Sequence, residues 1–227
     1  MDIDRQFESD NIPVSRGNLV ITFLGHGSLL LVFKGKNIYV DPFGEVADYS
    51  LLPKADLVLV THEHSDHFDL QALSSIRTQK TVLGVTAICS RQVKGGIEMG
   101  NGDEKLLAEI NVKAVPAYNL INKRPNGEPF HPKGIGNGYI LDFEGTLVYI
   151  AGDTENIPEM KSLVGIEIAF LPMNLPYTMT PAMVADAVKV FHPHILYPYH
   201  FGKTNPMEIV DLLKGESGVE IRIRKMA

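Results

Sequence analysis

The chain has 227 residues, 44% of them hydrophobic, enough to bury a substantial core in one large domain or two small ones, and a single domain over 1–227 is expected. Its 21 Lys and Arg against 27 Asp and Glu give a net charge of −6 with no basic stripe, which argues against nucleic acid as partner. The charged opening MDIDRQFESD, the absence of an apolar run of membrane-spanning length and the single Cys89 together predict an unexported, cytoplasmic protein without a membrane span or an internal disulfide.

Residues 1–17 have weak periodicity and read as an N-terminal arm. Short β-branched runs follow: LVITFL, SLLLVF, NIYVD and DLVLVT before a histidine-rich stretch, then INVKAV, GYILDF, TLVYIA, EIAFLP, HILYP and VEIRI. DLQALSSI reads as a helix behind a cap at Asp69, and TPAMVADAVKVF as a helix with Thr180 as cap and Pro181 in the first helical position. NPMEIVDLLKG repeats the device between Asn205, Pro206 and a closing Gly215. KGGIEMGNGDE reads as turns. The stretch NLINKRPNGEPFHPKGIGNG is too long for a plain turn and is either mobile or functional.

Two parts of the chain resemble each other. LVFKGKNIYVDPF leads through a loop to ADLVLVTHEH, and LDFEGTLVYIAGDT leads through a loop to IEIAFLPMN. Each is a hairpin turning at Gly35 or Gly145, a strand ending near Asp41 or Asp153, a loop, and a second apolar strand. Two such sheets packed face to face bring those strand ends together at one edge.

The stretch VTHEHSDHFD gathers three of the eight histidines, His62, His64 and His67, with Glu63, Asp66 and Asp69, directly behind an apolar strand. On such a loop imidazole nitrogens and the Asp66 carboxylate can converge on one cation, and zinc accepts both donors at about 2.0 to 2.2 Å. The alternative is a solvated polar turn. A His-Glu-x-x-His helix is ruled out because Asp66 stands four residues beyond His62, and no Gly-x-Ser-x-Gly elbow surrounds Ser28.

The pattern His62-x-His64-x-Asp66-His67, together with Asp41 in YVDPF, Asp153 in AGDT and His200 in YPYH, resembles the signature of the metallo-β-lactamase superfamily across most of the chain. The resemblance implies an α/β (α+β) fold, a four-layer αββα sandwich of two mixed β-sheets. It also implies two metal sites: His62 and His64 on the first, Asp66, His67 and His200 on the second, and Asp153 between them. Two divalent ions about 3.5 to 4 Å apart, zinc first and Mn, Fe or Ni as alternatives, would share a hydroxide nucleophile. Asp41 would orient the histidine loop or merely form the turn before Pro42.

The family's third histidine of the first site is missing from its usual place, where KAVPAYN supplies Tyr118 and Asn119. His131 in FHPKG is expected to complete the site from the long loop, with Asn119 as the alternative. His26 in LGHGS resembles the entry motif of the lactonase-like and phospholipase-like branch, and either approaches the site or caps a turn. Tyr177 in LPYTMT follows a strand end and either rims the pocket or packs its loop. His192 and His194 precede the strand whose far end carries His200, so they belong to the opposite edge. The expected function is hydrolysis of a small ester, lactone or phosphodiester, with Asp66, His26 and Tyr177 as the catalytic candidates. A dinuclear-iron redox protein and a metal-binding regulatory protein without turnover are the other readings. The partner is a small-molecule substrate, and a homo-oligomer stays open.

Overall fold

The computed structural model describes residues 6–227 and contains two seven-stranded mixed sheets. The first comprises β1 (Glu8–Val14), β2 (Gly17–Gly25), β3 (Ser28–Phe33), β4 (Lys36–Val40), β5 (Leu57–Leu59), β6 (Val82–Val85) and β7 (Ile97–Glu98), each beside the next. The second comprises β8 (Glu104–Leu107), β9 (Ile110–Ala117), β10 (Gly136–Phe143), β11 (Thr146–Ile150), β12 (Ile166–Pro172), β13 (Ile195–Tyr199) and β14 (Glu220–Ile221), again in chain order. Among the described residues four α-helices complete it: α1 (Leu70–Ile76), α2 (Ala87–Ser90), α3 (Pro181–Phe191) and α4 (Glu208–Leu212).

The two-residue period of a strand sorts the side chains into layers. Leu29 and Leu31 of β3 and Ile38 and Val40 of β4 share one buried cluster with Val112 and Ala114 of β9 and Tyr139 and Leu141 of β10, the space between the sheets. The alternate residues Leu30, Tyr39 and Val58 face the other way, onto Ala72, Leu73 and Ile76 of α1 and Cys89 of α2. Beyond the second sheet, Phe191 of α3 meets Tyr149 of β11 edge-on with ring centroids 5.9 Å apart. The order helix, sheet, sheet, helix is the expected αββα sandwich.

The two expected hairpins are present. Lys34 and Gly35 join antiparallel β3 and β4 at φ +49° and +77°, and Glu144 and Gly145 join β10 and β11 at +54° and +98°, the left-handed pair that a tight two-residue turn requires. Lys34 and Glu144 form an ion pair between the two hairpins. In each sheet the hairpin is followed by a parallel partner, β4 with β5 and β11 with β12. Thr180 caps α3 with Oγ1 accepting from the Met183 amide, as its sequence predicts.

Four readings change. Seven residues of the expected arm form an edge strand, β1, paired with β2 from Glu8↔Phe23 to Val14↔Gly17, and residues 1–5 lie outside the described residues. Its polar residues hide the strand because their partners are distant: Ser9 Oγ meets Thr22 Oγ1 at 3.0 Å and Asp10 meets Arg224. The helix expected to start behind Asn205 begins only at Glu208, because Asn205 first closes a turn, accepting from the Met207 amide with Oδ1 and from Glu208 with its carbonyl. KGGIEMGNGDE supplies β7 and opens β8. VEIRI contributes only Glu220–Ile221 as strand, since Arg222 and Arg224 turn to Asp10.

Candidate metal centre

Every chemically loaded residue of the sequence pattern sits just past a strand. Asp41 follows β4, His62 lies three residues beyond β5, Asp153 three beyond β11, and His200 directly follows β13. The sheets are tied together at that edge, where the Asn137 amide donates to the Thr61 carbonyl at 2.9 Å and Tyr139 Oη to the Val60 carbonyl at 2.8 Å. The amides of His67 and Phe68 both donate to the His64 carbonyl, which winds the histidine loop into one turn and sends its side chains inward.

Two groups of donors result, joined by a third made of His62, His67 and Asp153. His62, His64 and His131 offer nitrogens that lie within 4.8 Å of one another, and so do the donors of His26, Asp66, His67 and His200. In the first group His62 Nε2 is 3.1 Å from His64 Nδ1, and in the second His67 Nε2 is 3.1 Å from His200 Nε2. Two nitrogens on one tetrahedral cation with bonds of about 2.0 to 2.1 Å stand about 3.3 Å apart, so the spacing suits such an ion. Asp153 reaches both groups, with Oδ2 3.2 Å from His131 Nε2 and Oδ1 3.4 and 3.5 Å from the Nε2 atoms of His200 and His67. Asp153 Oδ1 is buried without a hydrogen-bond partner, an orphaned acceptor aimed at the second group. The donor set therefore fits a pair of divalent cations.

The outer nitrogens are fixed by neighbours. Asp41, fully buried, accepts from His67 Nδ1 at 2.8 Å, from Thr61 Oγ1 at 2.6 Å and from the Thr61 amide at 2.7 Å. That leaves His67 Nε2 to face the cluster, so of the two roles open to Asp41 the geometry selects orientation of the loop. Asn119 Oδ1 accepts from both His131 Nδ1 at 2.8 Å and the His131 amide at 2.7 Å, which turns Nε2 of His131 toward Asp153. His131 thus lies beside His62 and His64, and Asn119 holds it there. Asn119 is in turn tied by Nδ2 to the Tyr177 carbonyl and to Glu155 Oε1. Glu155, fully buried, also accepts from the amides of Leu120, Ile121 and Asn122 at 2.7 Å each. Neither Glu155 nor Thr61 stands out in the sequence; the nearest signal for Glu155 is its place two residues after Asp153.

Backbone conformation is unusual at this edge. His26, Asp41 and His200 have φ of +53°, +47° and +45°, a left-handed region that costs a non-glycine residue free energy and that the surrounding contacts must enforce. One such contact runs from the His200 amide to the His26 carbonyl at 3.0 Å. Beside His26, a Cβ on Gly27 would stand 3.0 Å from His67 Cε1, so that position admits only glycine while the ring stays in place.

Burial holds His62, His64 and His200 below the ordinary histidine range, leaving their lone pairs free near neutral pH. Burial also opposes protonation of His67, yet Asp153, Asp41 and Asp66 outweigh it and raise His67 to about 9. For Asp153 burial is likewise outweighed, here by His200, His67 and His131, and the carboxyl lies well below its usual range. In the metal-free protein a proton on His67 thus occupies the role that a cation would take among three carboxylates.

The cluster opens into a cleft of about 400 Å³. Asp66 faces it with 35% of its side chain exposed, and the His26 Nε2 to Asp66 Oδ2 contact is 3.0 Å. The His26 ring also lies against that of His200, tilted by 42° with centroids 3.7 Å apart, which places it beside the second group rather than in a mere turn cap. Tyr177 lines the cleft, with its ring edge-on to Phe130 at 5.0 Å. His192 and His194 lie apart, near Glu216 at 3.7 Å and Glu167 at 2.9 Å, and join neither group. Ser28 is buried and donates to the Asp41 carbonyl. Cys89 is buried in the outer core, and burial pushes its thiol up to about 11.

Residues 20–200 match the family model of the beta-lactamase superfamily domain. A UPF0173 metal-dependent hydrolase of Methanopyrus kandleri is 33% identical over 204 residues, 83% of this chain and 86% of that protein. A crystal structure from Parabacteroides distasonis, assigned to metal-dependent hydrolases, superposes with a TM-score of 0.93 at 45% identity, over 97% of this chain and all of that one. Igni18, a metallo hydrolase of Ignicoccus hospitalis, shares the fold with a TM-score of 0.75 at 24% identity, over 91% of this chain and 95% of that one. With its strand-end histidines and aspartates in the superfamily's order, the chain belongs to the metallo-β-lactamase superfamily, within its UPF0173 group.

Proposed function

We propose that this protein is a dinuclear, zinc-dependent hydrolase of a small ester, lactone or phosphodiester. The observation that carries the proposal is Asp153, whose two oxygens face two separate groups of imidazoles, one of them without any other partner. His62, His64 and His131 would hold one ion, and Asp66, His67 and His200 the other. Bound ions would supply an activated water and a Lewis acid for the scissile carbonyl or phosphoryl oxygen. His26 holds Asp66 by its Nε2 contact, and Tyr177 offers a phenolic hydrogen bond from the cleft wall. A histidine at position 64 within the first group supports hydrolysis over the redox reading, whose family members carry a carboxylate there. The names of the M. kandleri and P. distasonis proteins support metal-dependent hydrolysis in general.

Metal per chain after reconstitution with zinc or manganese, read by mass spectrometry, tests the site; close to two is expected, and a value near zero overturns the reading. A screen of ester, lactone and phosphodiester substrates with and without chelator tests the chemistry. Asp66→Ala and His67→Ala should abolish turnover while His192→Ala and His194→Ala leave it unchanged. Equal losses from both pairs would refute the assignment.

A further inference from the structure

The wall of the cleft carries one feature that the metal chemistry does not use. Among the described residues lining it, Arg124 is the single Lys or Arg, in a protein with a net charge of −6. Its backbone is fixed in a small turn, where the Arg124 amide donates to the Glu128 carbonyl at 2.7 Å, the Gly127 amide returns to the Arg124 carbonyl at 2.9 Å, and Lys123 bridges to Pro129. The guanidinium lies over the Phe130 ring, 5.3 Å from its centroid, and Nη2 donates to the Phe130 carbonyl at 3.3 Å. Phe130 immediately precedes His131, so the element that brings a metal donor inward also aims this cation at the same cleft. Among the described residues no carboxylate lies within ion-pair distance of Arg124, whereas Arg222 and Arg224 both have one. A guanidinium has five N–H donors in a planar fork, and one weak bond to a carbonyl leaves most of that fork free.

We propose that Arg124 is a specificity-determining residue that binds an anionic group, a carboxylate or a phosphate, carried by the substrate away from its scissile bond. The proposal rests on the hydrolase reading above for the word substrate, but not for the anion site itself. A planar fork pairs with a carboxylate or phosphate through two parallel hydrogen bonds, and stacking on Phe130 limits the side-chain freedom lost on binding. Tyr177, edge-on to Phe130, supplies the adjoining apolar wall. The substrate is therefore a small molecule with two points of attachment, a hydrolysable group at the imidazoles and an anion at Arg124.

The test uses the metal-loaded protein and two matched esters, 4-nitrophenyl butyrate and 4-nitrophenyl hemisuccinate, of which only the second carries a terminal carboxylate. Arg124→Gln should raise KM for the hemisuccinate about tenfold with kcat nearly unchanged, the size of one charge-assisted hydrogen bond, and leave the butyrate unaffected. Arg124→Lys should recover part of the loss. A change of equal size for both esters, or for neither, overturns the proposal. Calorimetric titration of succinate and of inorganic phosphate into wild type and Arg124→Gln, each metal-loaded and chelated, gives a readout that needs no turnover. Binding that falls about tenfold or more with the substitution in both metal states supports the proposal, and the tighter anion identifies the source. Equal binding by the two proteins, or none at millimolar concentration, overturns it. Absence of any hydrolysis with intact Arg124-dependent anion binding would refute the hydrolase reading alone.

Discussion

A histidine donor is only as good as the atom behind it, and His131 shows how far that support extends. Its Nε2 faces Asp153 because Asn119 accepts from both its ring and its backbone, and Asn119 stays in place because Glu155 and the Tyr177 carbonyl take its amide protons. Asn119→Ala should therefore lower the affinity of the first ion by about 10 to 100-fold, and His131→Ala by at least as much, measured by competition with a chromophoric chelator. Wild-type affinity for both ions in either variant would refute the role. Gly27→Ala tests the second group in the same assay: its Cβ displaces the His67 ring, so the second ion should be weakened while the first is kept. The clustered donors were legible in sequence because His62, His64, Asp66 and His67 crowd into a six-residue stretch and Asp153 and His200 follow strand ends. His131 could be reached only by elimination. Asn119 stood out only as an alternative to His131; its bond to the His131 ring and the part of Glu155 were not legible, because these bonds join residues 12 to 36 positions apart through loops without periodicity.

At the scale of elements, strands that are short β-branched apolar runs were readable, as were α1 and α3, which start behind the capping side chains of Asp69 and Thr180. β1 failed that test. Its sequence opens with four polar residues in a row, Glu8 to Asn11, and Asp10 finds its partners at the other end of the chain, receiving Arg224 Nη2 at 2.7 Å, Arg222 Nη1 at 3.3 Å and the Tyr197 hydroxyl. This cluster joins the edge strand of one sheet to β13 and the C-terminal segment of the other. Asp10→Ala would leave two guanidinium groups and a phenol without their shared acceptor, at a cost of about 1 to 3 kcal/mol. The matching fall in thermal midpoint is roughly 2 to 4 °C per kcal/mol for a chain of this size. Thr180→Ala should cost about 1 kcal/mol through loss of the α3 cap. Calorimetry on both variants checks the order, and a larger loss at Thr180 would show that the edge clamp is ornamental.

For the whole molecule, the site's charges set a pH dependence whose sign depends on metal. In the metal-free protein His67 binds its proton more tightly than in the unfolded chain, with a pKa of about 9 against an ordinary value of about 6.5. A raised histidine pKa stabilises the fold fully below about pH 6.5, and that contribution disappears as pH climbs to about 9, a loss of about 3 kcal/mol. His62, His64 and His200 act in the opposite sense: their depressed values favour the fold above about pH 6.5, and that advantage is lost as the medium becomes acid. The metal-free protein should therefore be most stable near pH 6.5 to 7. Cations compete with the proton for His67 Nε2, so loading releases that proton and should remove the alkaline decline. Urea midpoints measured from pH 6 to 9, with chelator and with zinc, distinguish the two states. The expected result is a falling curve for the chelated protein above pH 7 and a flat or rising one for the loaded protein. Parallel curves would mean that the carboxylates around His67 are neutralised by something other than its proton or a metal ion.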